Sequence, residues 1–375
     1  MNKENILSKI SKMSDKELLC LARNTSDVEI LNILAVNANY EVRCTIAENK
    51  NTPVELLAVL AKDINLDVRA SVARNNNTPV EILVMLASDK EWWVCCKVAA
   101  NENTSVDVLV MLASDKTWWV RSAVARNKNT PAEVLAMLAK DEESGVRCAV
   151  ANNRNTSTDV LAMLASDKTW WVREQVALNE STSADILAML AKDKEWYVRG
   201  AVAGNKNTPE ETLVKLAGDN DYNVRCTVAN SKNTPAEALA KLVSDEEERV
   251  RIGVAYNENT SAETLAKLVS DENSDVRIGI AENPNTLAKE LATLSTDENF
   301  DVRISVASHK NTTSKILAKL AKDEDYRVRN YVANNPNTPS YALKGLLEDD
   351  YNYISCQAEK ALQERQSRKK DSMER

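Results

Sequence analysis

An all-α solenoid of thirteen 26-residue units, each a pair of helices, is the fold class this sequence predicts. One phrase recurs at an offset of 26 from residue 26 to residue 363. Within each copy the apolar residues fall at i, i+3 and i+4, the period of a helix that buries one face. Two helices this short cannot enclose a core, so every copy must stack on its neighbours and build a shared one.

The copy from Asn49 to Asn75 reads NKNTPVELLAVLAKDINLDVRASVARN. A Ser or Thr opens each unit, from Ser26, Thr52 and Thr78 to Thr338, and is expected to cap the first helix. Three residues later stands an acid in ten of the thirteen units, Glu55 and Glu81 among them, the spacing of a capping box. Pro53, Pro79, Pro131, Pro209, Pro235 and Pro339 follow the opening residue directly, where a helix needs no N–H. Leu57, Leu60 and Ala61 then form one apolar face, giving a first helix of about three turns. An Asp ends it in twelve units, with Asn37 in the first. Four residues further on, Val-Arg-x-x-Val-Ala puts Val68 and Val72 on one face of a second, shorter helix. An Asn-x-Asn turn leads into the next unit.

Two polar columns run through the repeat. The Asp and an Arg six residues later occur together in ten units, Asp63 with Arg69 through Asp323 with Arg329. A ladder of charge-assisted hydrogen bonds, within or between units, explains fixed opposite charges better than a functional stripe. Cys95 displaces one of these arginines, which is expected to leave Asp89 short of a partner and marks Cys95 as the thiol to test for reactivity. The Asn columns, such as Asn49 and Asn51, are expected to satisfy backbone groups in the turns. His309, the only histidine, stands in that column as a structural substitute.

At the N-terminus, residues 1–25 look like a degenerate half unit, with Leu21, Ala22, Arg23 and Asn24 echoing Ile46, Ala47, Glu48 and Asn49, and are assigned as a cap. The solenoid occupies 26–363. In the last unit Ser355 replaces the Arg and Glu359 the Ala, and 364–375 reads as a polar, disordered tail whose Arg368, Lys369 and Lys370 offer at most a weak anionic-surface contact.

With 43% hydrophobic and 28% charged residues, the 375-residue chain can bury a core. No apolar run approaches a membrane span, and MNKENILSKISKM lacks the apolar stretch of a signal peptide, so a cytoplasmic location is expected. Seven cysteines without a CxxC pair suit neither a disulfide framework nor a zinc knuckle. A net charge of -8 argues against attachment to nucleic acid. No cofactor or metal is expected.

The run NTPxEVLAxLAxDxxxxVRxxVAxN resembles the bacterial leucine-rich repeat variant family, and its D-x4-VR element resembles the wider HEAT-like class. The resemblance implies a right-handed superhelix of alternating long and short helices and little about activity. One member type of the family carries an N-terminal iron–sulfur module. That does not transfer, because residues 1–25 hold only Cys20 and a cluster needs about four thiolates.

In a solenoid the repeated columns build the fold, so function is sought where a few adjacent units depart from them. All seven tryptophans fall between the Asp and the Val: Trp92 and Trp93, Trp118 and Trp119, Trp170 and Trp171, and Trp196 followed by Tyr197. The first position of each pair is aromatic elsewhere too, as Tyr40, Tyr222, Phe300 and Tyr326, and reads as packing. The second otherwise holds mostly polar residues such as Glu41, Asp67 and Arg249, so large aromatics there are expected to be exposed and to mark an interaction site. Two blander readings stay open. DKTWWVR recurs identically at 115–121 and 167–173, so duplication alone could have multiplied a Trp. A column of Met85, Met111, Met137, Met163 and Met189 overlaps the Trp units, and sulfur–indole packing would explain both. Ser144 and Gly145 interrupt the row and leave a gap able to admit a partner's side chain. Lys97, Glu174 and Gln175 are further departures on the second helices.

No triad, phosphate loop or ligand cluster is present in the sequence. The expected function is therefore a non-enzymatic scaffold that binds a protein or peptide through the aromatic patch on units three to seven. The rival is an enzyme: HEAT-like proteins that excise alkylated DNA bases resemble this architecture, and the Trp row with Asp89 or Glu174 fits that picture, but no basic stripe supports it. A chromophore lyase rests on fold analogy alone.

Overall fold

The computed structural model describes residues 3–373, with side chains described for 7–367. Among the described residues it holds 28 helices and no strand. Two helices, Lys3–Ile10 and Asp15–Asn24, precede thirteen helix pairs, so the N-terminal segment is a helix pair where a half unit was expected. The chain divides into two compact units, Met1–Ile186 and Leu187–Arg375, each an all-α repeat stack.

Within each unit, the leucines and valines that the spacing places inward form the core. Leu57, Leu83, Leu109, Leu135 and Leu161 from the first helices, and Val68, Val94, Val120 and Val146 from the second, have no exposed surface. Second helices pack on the second helices of the adjoining repeats. Small residues make this close approach possible. A Cβ on Gly253 would come 2.8 Å from the Ala229 Cβ, and one on Gly279 would come 2.9 Å from the Ala255 Cβ.

The helix lengths differ from expectation. The first helix of a repeat has seven residues, as in Val54–Leu60, and the second has nine, as in Leu66–Arg74. At the start of the first helix the difference comes from the opening threonine. Thr52 is buried and donates its hydroxyl to the Ile46 carbonyl at 2.6 Å, closing the end of the preceding helix; Thr78 does the same to Val72. The threonine is thus not the cap, and the first helix starts later. Pro53 takes the N-cap position, with extended backbone (φ -62, ψ 152), and its carbonyl accepts from Leu57. Where proline is missing, a side chain can cap from that place, as Ser157 does to the Val160 N–H. Glu55 therefore lies in the first turn, where its charge suits the helix dipole. The full reciprocal box appears at Ser14 and Glu17 in the N-terminal segment.

The ladder runs between repeats. Within each unit an arginine reaches the aspartate of the following copy: Arg43 Nε to Asp63 and Arg69 Nε to Asp89, both at 2.6 Å, and Arg329 Nε to Asp349 in the Leu187–Arg375 unit. The same guanidinium also donates to backbone carbonyls of its own turn, Arg69 Nη1 to Asp63 O at 2.8 Å. The aspartate accepts the N–H two residues on, as Asp63 does from Asn65. Burial pushes the Asp63 and Asp167 carboxyls up, but the arginine hydrogen bonds and backbone N–H groups outweigh it and hold both below the ordinary carboxylate value. A lowered folded pKa is stability present above the unfolded value and lost as pH falls through the folded one.

The asparagines tie each turn to the one before. Asn75 Nδ2 donates to Ala47 O at 2.7 Å and to Asn49 O at 3.2 Å, while its Oδ1 accepts from Asn77. His309 takes this role in its own copy. Its Nδ1 accepts the Asn311 N–H, so Nε2 carries the proton and donates to Asn283 O, each at 3.0 Å. Burial pushes the imidazole below its ordinary value of 6.5. Protonation would also destroy the Nδ1 acceptor. The stability that His309 contributes is therefore complete above 6.5 and lost as pH falls through the lowered folded value. His309→Asn is expected to match the wild type at pH 8 and to lose less stability between pH 8 and pH 5. Urea midpoints at the two pH values measure this, and equal losses would refute the assignment.

The last helix, Asn352–Met373, is 22 residues long. The end expected to be disordered from residue 364 is thus helical to Met373, and Arg365 donates to Thr338 O and Pro336 O of the preceding turn. The side chains of Arg368, Lys369 and Lys370 lie outside the described residues.

Candidate aromatic and cationic groove

Trp92 and Trp93 are the first two residues of helix Trp92–Ala100, and Trp118 and Trp119 open helix Trp118–Arg126. Four-residue spacing along the first of these helices places Lys97 after Trp93. Its Nζ lies 3.8 Å over the Trp93 ring, a cation–π contact. The two helices enclose a groove of about 440 Å³ lined by Trp92, Trp93, Lys97, Ala100, Trp119 and Arg126, with Cys96, Ala123 and Asn127 completing it.

The second-position aromatics are exposed: Trp93 is 40% accessible, Trp119 49% and Trp171 41%. The first-position rings are not uniformly packed, since Trp92 is 43% accessible while Trp118 and Trp170 are half-buried. The pairs alternate in geometry. Trp92–Trp93 and Trp170–Trp171 are edge-to-face with centroids 5.7 Å apart, whereas Trp118 stacks on Trp119 at 3.7 Å. In the Leu187–Arg375 unit, Trp196 stacks on Tyr197 at 3.8 Å.

The gap expected at Ser144 and Gly145 is filled from within. A Cβ on Gly145 would meet Cζ3 of Trp118 at 2.8 Å, so the missing side chain makes room for that indole. The methionines of the first helices, Met85 to Met189, are exposed and line no part of the groove. Glu174 and Gln175 lie on helix Trp170–Leu178 outside the groove, and burial pushes the Glu174 carboxyl up.

Cys95 also differs from expectation. It is buried, its thiol pushed up to about 11 chiefly by burial, so it is not a reactive thiolate at neutral pH. Asp89 is not short of a partner, because its arginine is Arg69 of the preceding copy. The carboxylate that loses an arginine is Asp115, one repeat on, which accepts the Thr117 N–H. Cys95 Sγ lies 3.4 Å from Asp89 O, in the arginine's place. Cys95→Arg is expected to complete the ladder and raise stability by about 1–2 kcal/mol, read from the urea midpoint. An unchanged or lower midpoint would sink that reading.

Two parts of the surface escaped the sequence. Arg126 belongs to the groove. A second aromatic hollow of about 340 Å³, in the Leu187–Arg375 unit, is lined by Tyr326, Arg327, Tyr331, Tyr351 and Tyr353 with Ile304, Asn330 and Ile354. There Tyr326 stacks on Tyr351 at 4.5 Å, and the Arg327 guanidinium covers Phe300 at 3.6 Å. The first would have shown in comparing residues 26 apart in pairs, and the second in following the tyrosines past the columns where aromatics recur.

No group of three or more His, Cys, Asp or Glu side chains able to hold a metal occurs among the described residues. No helix there is long and apolar enough to cross a membrane.

The leucine rich repeat variant profile matches residues 66–91 and 118–143, each a second helix with the first helix that follows it. Among solved structures, the chain is similar to a leucine-rich repeat variant described as having a novel repetitive structural motif. That similarity has 26% identity over 59% of this chain and 87% of the other, with a TM-score of 0.46. It is also similar to an engineered protein at 18% identity, over 97% of this chain and 98% of the other, with a TM-score of 0.20. A search of curated proteins finds no match. The two matched stretches, 66–91 and 118–143, are thus repeats of the leucine rich repeat variant type, and the columns of valine, asparagine, threonine and leucine that they carry recur in the stretches beside them.

Proposed function

We propose that this protein is a non-enzymatic interaction scaffold, and that the groove between helices Trp92–Ala100 and Trp118–Arg126 is where it holds a protein partner. The observation that carries this reading is the pair of exposed indoles, Trp93 and Trp119, facing one groove at positions that hold Asp or Glu in the first two repeats. Exposed aromatic clusters of this kind are the usual anchors of protein interfaces. Most aspartates of the repeat are engaged in the ladder, as Asp63 and Asp167 are, and the free thiols suit a reducing, cytoplasmic setting. A DNA-binding reading would need a run of cations, and the groove offers two in a chain of net charge -8.

Crosslinking in the native cell with the wild type and with Trp93→Ala, Trp119→Ala and Trp171→Ala tests this. Partners captured by the wild type are expected to be lost from the first two variants, whose helical content should be unchanged because the rings are exposed. Retention of every partner by all three folded variants would reject the groove as the binding site.

A further inference from the structure

We propose that the groove takes an acidic segment of a partner protein, an extended stretch in which a bulky apolar side chain lies beside one or more carboxylates. This rests on the reading that the groove binds a protein, and adds the chemistry of what enters it.

The argument begins with Arg126. Two repeats earlier the same register position holds Arg74, which pairs with Glu48 of the repeat before it. In the repeat before Arg126, the place of Glu48 is taken by Ala100. The cation is therefore present without an acid in the preceding repeat, and Ala100 and Arg126 both line the groove. Lys97 is the second cation. The equivalent position elsewhere holds small or neutral residues, among them Thr45, Ser71, Ala123, Ala149, Gln175 and Gly253. Neither Lys97 nor Arg126 is paired with a carboxylate among the described residues, although nearby Lys128 reaches Glu102 at 2.6 Å. Two unneutralised cations 29 positions apart in sequence thus flank one apolar hollow in a chain of net charge -8.

The rings narrow the choice of occupant. One face of Trp93 is covered by Lys97, and Trp118 stacks at 3.7 Å on Trp119. The free faces and the apolar lining of Ala100 and Ala123 suit an aliphatic or aromatic side chain, while Lys97 and Arg126 suit the carboxylates next to it. Charges of this sort steer association and select partners, so the interaction is expected to weaken with salt.

The test is selection from a phage-displayed library of random dodecapeptides on the full chain, followed by titration of the enriched peptides by tryptophan fluorescence at low and high salt. The expected peptides carry Asp or Glu within two residues of an aromatic or branched aliphatic side chain. They should weaken by about tenfold or more on a Lys97→Glu, Arg126→Glu chain and by about threefold to fivefold on each single Gln substitution. Arg126 is exposed and Lys97 half-buried, and circular dichroism of the charge-reversed chain and of the Gln variants guards against loss of the fold. Enriched peptides that are neutral or basic and indifferent to charge reversal overturn the acidic assignment while leaving the groove a binding site. No enrichment at all, or peptides that bind Trp93→Ala and Trp119→Ala as tightly as the wild type, overturns both. A single-stranded oligonucleotide that binds more tightly than every selected peptide also overturns it.

Discussion

Replacing Arg147 with methionine is expected to lower stability by about 3 kcal/mol, because a buried ion pair broken on one side leaves the other charge stranded. Arg147 and Asp167 are among the most enclosed pairs of the ladder, each with 7% of its side chain accessible. The guanidinium holds Asp167 through Nε at 2.5 Å and Nη2 at 3.0 Å, and its Nη1 donates to Asp141 O and Glu142 O. Methionine fills much of the volume but supplies none of these donors. The deficit should shrink in acid. Burial raises the Asp167 carboxyl, and the hydrogen bond from Arg147 with the Thr169 N–H brings it below 3.8. The wild type's advantage is therefore present above that value and lost as pH falls through the lower folded one. Since repeats couple mainly to their neighbours, the break should also split or broaden the urea transition, with faster hydrogen exchange on both sides of repeat five. A single sharp transition with an unmoved midpoint would show the ladder to be incidental.

Asn153→Ala is expected to cost a similar amount, about 3 kcal/mol, by a different route. Its Nδ2 donates to Ala125 O at 2.7 Å and Asn127 O at 3.0 Å, and its Oδ1 accepts the Asn155 N–H at 2.9 Å, all in a site 7% accessible. Alanine removes all three bonds, leaving Ala125 O and the Asn155 N–H without these partners while Asn127 O keeps the Thr130 N–H. Histidine is the informative control. His309 shows that an imidazole can keep two of the three bonds at this position, so Asn153→His should cost less, about 1 kcal/mol. Thermal and urea unfolding of the two variants would give that order; an alanine variant as stable as the histidine one would mean the contacts contribute little.

Much of this was legible in the repeated phrase. The leucines and valines announced the buried faces, the prolines a helix start, and the Asp and Arg columns a ladder. Periodicity carries such information because each residue recurs in the same environment. By local spacing alone, the opening threonine, a hydroxyl before a proline and an acid, fits a cap. In the folded chain a carbonyl six residues back is closer and already buried, and the hydroxyl goes there. Cys95 follows the same pattern: spacing along the chain pairs its position with Asp89 six residues back, whereas the ladder guanidinium reaches twenty residues onward.

The sequence by itself determined the period, the pairing of helices, which faces are buried and which residues stand out from their columns, since these depend on spacing along one chain. Only the tertiary structure decided which neighbour each arginine grips, that Trp118 lies over Gly145, and that Trp93, Lys97, Trp119 and Arg126 share one groove. Those meetings depend on how far one helix is shifted and turned against the next, a distance of ångströms that the identity of the residues does not encode one position at a time.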